Sequence, residues 1–436
     1  MRESSRVAAA RGALVALVVV LGLSAGCGRR SAEGEPRSEP SAETAADATM
    51  ESGTFSPRPT TPRLLPVAEE GRSAAQVAML ASRPDFNIYR TLAHHPELYE
   101  QWSGFGRFVL NGSSLPARER EIVMLRMGWL CQSEYEWAQH ARIAEESAGM
   151  TVEEIRRIAE GPDAPGWSDF ERALLRMTDE LRYDAKISDA TWSALRAQYS
   201  EQQVMEALFT AGQYQLVSMA LNTLGVQLDP GLEHRLPEGL PLPDVAGRPA
   251  SDVARGRLPA LGPEGWSDEQ RALLAPVLRE DGTAPNLHAT LVHHPQLFAP
   301  LGTLFRYLAG ESGLPPQDRA LLILRTAWNL RAEYLWAHYS GAARAAGLGD
   351  EEIARVAAGP DAPGWTAEQA ALLRAADELR REAFVSDATW AASAASHDPQ
   401  RLIEVVFTVG GYSMTALAIR SFGVEVEAGL PGFPEG

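Results

Sequence analysis

The chain has 436 residues, 45% of them hydrophobic and 22% charged, with a formal net charge of −17 and only two cysteines. Such an excess of acid argues against binding nucleic acid or anionic lipid through charge. No glycine-rich phosphate loop and no dinucleotide fingerprint is present, so no nucleotide cofactor is expected.

Residues 1–26 place Arg2, Arg6 and Arg11 ahead of the apolar run GALVALVVVLGL, which is too short to span a bilayer comfortably and reads as a secretory signal. The run ends in Leu-Ser-Ala-Gly-Cys, which resembles a bacterial lipobox with Cys27 as the acylated residue. That implies an exported lipoprotein held at a membrane by its lipid anchor alone, the alternative being a secreted or periplasmic protein released by an ordinary signal. Removing the signal takes away three arginines and one glutamate and moves the charge to −19. Residues 27–62 are rich in Ser, Glu, Pro, Ala and Thr with almost no large apolar side chain, and are expected to form a disordered spacer.

The remainder is too long for one small core and repeats itself. NIYRTLAHHPELY from residue 87 returns as NLHATLVHHPQLF from residue 286, and GPDAPGW from residue 161 returns unchanged from residue 359. ISDATW at residue 187 matches VSDATW at 385, and LFTAGQY ending at Tyr214 matches VFTVGGY ending at Tyr412. Order is kept at an offset of 198 or 199 residues, so the chain is a tandem duplication, with domains over 63–240 and 241–436.

Within each copy apolar residues recur every three or four positions, and no alternating β-branched run is long enough for a sheet. Thr151, Ser168 and Ser200 each precede a Glu or Gln by three residues, the pattern of a capping box. The fold class is therefore all-α, two tandem helical bundles of about six to eight helices each.

Residues 118–148 concentrate the titratable chemistry. Ser133, Glu136 and His140 fall at i, i+3 and i+7, on one face of a helix, and Glu121 lies on the helical segment before them. A carboxylate beside an imidazole in an apolar setting is a way to tune an acid/base pair, whereas Ser133 with Glu136 also fits a capping box and His140 also fits a hydrogen-bonded core histidine.

The segment LRMGWLCQSEYEWAQH resembles the carboxymuconolactone decarboxylase and alkylhydroperoxidase D superfamily, in the variant marked by a tryptophan and Tyr-x-Trp-x-x-His. By position Glu121 and His140 match that superfamily's glutamate and histidine, while Ser133 and Glu136 stand where its thiol-peroxidase branch has Cys-x-x-Cys. The resemblance implies an all-α fold packed into homo-oligomers. It further implies cofactor-free acid/base chemistry on a small carboxylated or lactone substrate, with Glu121 and His140 catalytic. Tyr135 and Glu136 would shape the pocket, with Ser133 and Trp137 beside them, and Arg120 would be available for a substrate carboxylate. A peroxiredoxin-type activity is the alternative, disfavoured by the absent thiol pair; a surface-tethered binding protein without chemistry is a third.

The second copy differs at just these positions: Glu121, Ser133, Glu136 and His140 become Ala320, Ala332, Leu335 and Tyr339, and His338 lies one residue off register. Arg120, Arg126, Trp129, Tyr135 and Trp137 recur as Arg319, Arg325, Trp328, Tyr334 and Trp336. Shared residues most simply hold the fold, so the first copy is the candidate active one and the second a degenerate partner. His94-His95 and His293-His294 recur before a proline and suit capping or packing, no metal site is expected, and Cys131 reads as a buried apolar thiol.

Overall fold

A computed structural model describes residues 56–81, 83–243 and 256–434. The signal, the lipobox with Cys27 and most of the spacer lie outside the described residues. No strand occurs among those described, and the two copies run through the same succession of helices. In the first copy these are α1 (Ala74–Leu80), α2 (Asn87–Leu92), α3 (Pro96–Arg107), α4 (Ala117–Leu130), α5 (Glu134–Ala148), α6 (Val152–Glu160), α7 (Asp169–Asp184), α8 (Asp189–Arg196) and α9 (Glu201–Leu224). Their counterparts are α10 (Asp268–Leu274), α11 (Asn286–Leu291), α12 (Pro295–Arg306), α13 (Pro316–Asn329), α14 (Glu333–Ala345), α15 (Asp350–Ala358), α16 (Ala367–Glu382), α17 (Asp387–Ala394) and α18 (Pro399–Phe422). Nine per copy exceeds the expected six to eight because α1 and α2 are two-turn pieces, too short to show a full apolar period.

The boundaries follow local chemistry. Thr151, Ser168 and Ser200 each form the expected capping box at the start of α6, α7 and α9. The first glycine of the repeated GPDAPGW motif is explained by a single cation. Gly161 takes φ 102° at the end of α6, and a side chain there would meet the Arg126 guanidinium at 3.0 Å. Arg126 is buried and donates to both oxygens of Asp179 at 2.7 and 3.0 Å and to the Ile158 and Ala159 carbonyls at 2.9 Å each. Arg325 repeats this set on Asp377, Val356 and Ala357 beneath Gly359.

The two copies clasp each other about α9 and α18. A Cβ on Gly212 would fall 2.6 Å from Met414, and one on Gly410 would fall 2.7 Å from Leu216, so glycine lets the two long helices cross closely at equivalent points. The polar contacts are reciprocal too. His95 meets Glu404 at 2.9 Å, and His294 meets Glu206 at 2.8 Å. Gln202 donates to the His293 carbonyl and Gln400 to that of His94. Arg182 donates to the Arg380 and Arg381 carbonyls, and Arg380 returns to those of Arg182 and Tyr183. The paired histidines thus tie one copy to the other.

Helix α18 is long and apolar enough by composition to cross a membrane, but all of its apolar window is buried inside the fold. Residues 56–62, assigned to the spacer by composition, lie against the folded body: Arg58 donates to the Cys131 and Glu382 carbonyls at 3.1 and 2.7 Å.

Candidate functional site

Helices α4 and α5 form an antiparallel hairpin whose turn uses Gln132 at φ 49°, and Arg331 at φ 52° does the same in the second copy. Gly128 keeps the hairpin tight, since a Cβ there would meet that of Glu136 at 3.4 Å. The close approach carries Glu121, on α4, to His140, on α5. Glu121 Oε2 lies 2.8 Å from His140 Nδ1, and on the far side of the ring the Tyr214 hydroxyl of α9 lies 2.8 Å from Nε2. Glu136 Oε2 is 3.5 Å from Nε2, within ion-pair range but beyond a good hydrogen bond. All four residues are between 2% and 6% exposed.

This geometry fixes what each group does. With Nδ1–H donated to Glu121, a neutral imidazole accepts the Tyr214 hydroxyl proton at Nε2, and a protonated one donates there instead. Burial works against charge on His140, but the field and hydrogen bond of Glu121, with Glu136 adding to them, outweigh it and raise the imidazole pKa above its ordinary value. Burial pushes the Glu136 carboxyl up to about 7, with His140 opposing and Glu121 assisting. Tyr214 is held well above its ordinary range by burial first and by the two carboxylates second. The cluster therefore sets a carboxyl held near neutrality against an imidazole raised above its ordinary value, with the partners aligned along that one ring.

The other candidates fall elsewhere. Tyr135 donates to Asp229 at 2.5 Å, with Gln139 joining at 2.9 Å, and so pins the segment after α9 to α5; Tyr334 contacts Glu427 in the same way. Trp137 is 2% exposed and packs edge-on against Trp129, with Trp336 and Trp328 as counterparts, which makes it core. Arg120 touches the Leu115 carbonyl at 3.5 Å, and Arg319 touches that of Leu314 at 3.2 Å, a shared structural contact. Arg120 is nonetheless close enough to act electrostatically on His140. Ser133 is fully buried at the start of α5, but its hydroxyl makes no cap and has no hydrogen-bond partner among the described residues. The capping box open at this position is not formed, because the Glu136 side chain lies by His140.

Tyr214 escaped notice in the sequence because it recurs as Tyr412 and so looked like frame. In the second copy the place of the imidazole is taken by Tyr339, hydrogen-bonded to Tyr412, and burial pushes Tyr339 up to about 12. That pair offers no group that titrates near neutrality. A small, wholly apolar cavity lined by Ile88, Trp102, Val217 and Phe407 lies at the seam between the copies; none of the four site residues lines it, and it has no polar group to orient a substrate.

The model of the carboxymuconolactone decarboxylase family matches residues 96–180 and again residues 295–378. The chain carries two domains of that family in tandem, the first match spanning Glu121, Glu136 and His140. No curated protein and no solved structure matches it.

Proposed function

We propose that the first repeat is a cofactor-free acid/base centre acting on a small carboxylated or lactone substrate, with His140 moving the proton, Glu121 orienting and polarising the ring, and Glu136 as the acid beside it. The observation that carries this reading is the Glu121–His140–Tyr214 hydrogen-bonded line, with Glu136 3.5 Å from the same ring. A buried carboxylate holds the tautomer and favours the imidazolium, and a carboxyl near neutrality can give up or take back a proton within the working range. In a decarboxylation the electron pair left on carbon when CO2 departs takes its proton from this cluster. Arg120, near the ring, is the cation available to a substrate carboxylate.

A peroxidase reading has less support. Cys131 is buried, burial raises its thiol pKa despite opposition from Arg182 and Arg58, and no second thiol remains in the described residues. The proposal also places the protein outside the cytoplasm, tethered through Cys27, which rests on the leader sequence alone. Homo-oligomers remain part of it, through surfaces other than α9 and α18, which the two repeats already occupy.

The test is a pH–rate profile over a panel of small lactones and carboxylated substrates. If protonated Glu136 is the acid, turnover falls as pH rises through about 7, because the carboxyl loses its proton there. Glu136→Gln should remove that limb and leave a slower, flatter profile. An unchanged limb in the variant contradicts the assignment.

A further inference from the structure

We propose that the second repeat carries a divalent transition-metal site of its own, built from Asp318, Glu368 and His397. One donor atom from each lies within 4.8 Å of the others. Asp318 stands in the first turn of α13 and Glu368 in the first turn of α16, and His397 lies in the turn leading into α18. The imidazole is buried and its Nδ1 lies 3.1 Å from both the Ser393 carbonyl and the Ser396 hydroxyl; the carbonyl can only accept, so Nδ1 carries a proton and a neutral ring presents its lone pair at Nε2. A ring anchored through one nitrogen to a backbone carbonyl is oriented to ligate through the other.

Asp318 Oδ2 lies 3.7 Å from Nε2, and Glu368 Oε1 lies 3.8 Å from Nδ1. Neither separation makes a good hydrogen bond, yet the Asp318 carboxylate, with the Ser393 carbonyl, holds the His397 pKa above its ordinary value against burial, so an ion taking Nε2 would displace the proton there. Ligands about 2.0–2.1 Å from a tetrahedral ion sit roughly 3.3–3.4 Å apart, so Asp318 needs to close by only tenths of an ångström. Glu368 is the mobile ligand: its side chain is 46% exposed and can swing towards Nε2. Two carboxylates and a neutral imidazole together balance a 2+ ion.

The first repeat supplies an independent observation. The equivalent positions there hold Glu119, Phe170 and Tyr199. Tyr199 donates to Glu119 at 2.5 Å while Phe170 packs edge-on against it at 4.7 Å, a closed corner with a single candidate ligand. The same backbone frame thus gathers three ligating side chains only in the copy whose acid/base site has been lost. One nitrogen and two carboxylate oxygens suit Zn2+ or Mn2+ better than an all-oxygen ion such as Ca2+. Bound there, the ion would tie α13, α16 and the turn before α18 together.

Calorimetric titration of the full chain with Zn2+, with thermal melts in parallel, tests the site. Saturable binding of one ion per chain and a Zn2+-dependent rise in melting temperature are expected. Glu368→Ala, at an exposed position, and His397→Tyr, which installs the side chain tolerated in the first repeat, should each weaken binding roughly tenfold or more. His140→Gln should leave binding intact, which separates this site from the Glu121–Glu136–His140 cluster. Absence of saturable binding, binding retained in both ligand variants, or binding lost in His140→Gln would overturn the proposal; the first two outcomes leave His397 as an ion-paired imidazole only.

Discussion

The His140→Gln variant is expected to turn over substrate about 10²–10⁴-fold more slowly than the parent chain. Glutamine keeps a polar group between Glu121 and Tyr214, so the partners on both sides of the ring retain a neighbour, but it neither accepts nor releases a proton. The loss should therefore fall on kcat, with the melting temperature little changed. Measuring kcat, KM and a melt on the same preparation separates this from unfolding: a large rate defect with an intact melt identifies the proton carrier, whereas a matched loss of stability would make His140 a structural residue.

The largest effect on stability is expected from Arg126→Met. The change leaves Asp179 buried without its counter-ion and frees the Ile158 and Ala159 carbonyls, and breaking one partner of such a pair costs about 3–5 kcal/mol. The denaturant midpoint should fall accordingly. Combining Arg126→Met with Asp179→Leu should recover much of the loss, because no uncompensated charge then remains. If the single variant costs under about 1 kcal/mol, the Arg126 cluster is not what holds α4 to α6 and α7.

These two residues illustrate what was legible in the amino-acid chain. Arg126 was readable as frame because it recurs as Arg325, and GPDAPGW recurs around it, since both copies must solve the same buried-charge problem. Glu121 and His140 were readable as a pair because the second copy dropped both together. The helices and the caps at Thr151, Ser168 and Ser200 followed from apolar spacing and Ser/Thr positions, which are local. What escaped was non-local. Tyr214 lies 74 residues from His140, and its recurrence as Tyr412 conceals that one tyrosine faces an imidazole and the other a second phenol. The clasp of α9 against α18 depends on Gly212 and Gly410 meeting side chains of the opposite copy, which no periodicity within one copy reveals. Tyr135 and Trp137 matched the family pattern, yet that pattern records packing as well as chemistry. At these two positions it marks a tether and a core ring.

The asymmetry between the repeats is tested most directly by following turnover of one substrate panel by the parent chain, His140→Gln and Tyr339→Phe side by side. A proton-transfer centre confined to the first repeat predicts that the parent is active, that His140→Gln loses nearly all of that activity, and that Tyr339→Phe keeps it. No turnover by the parent, or equal turnover by the parent and His140→Gln, would contradict it.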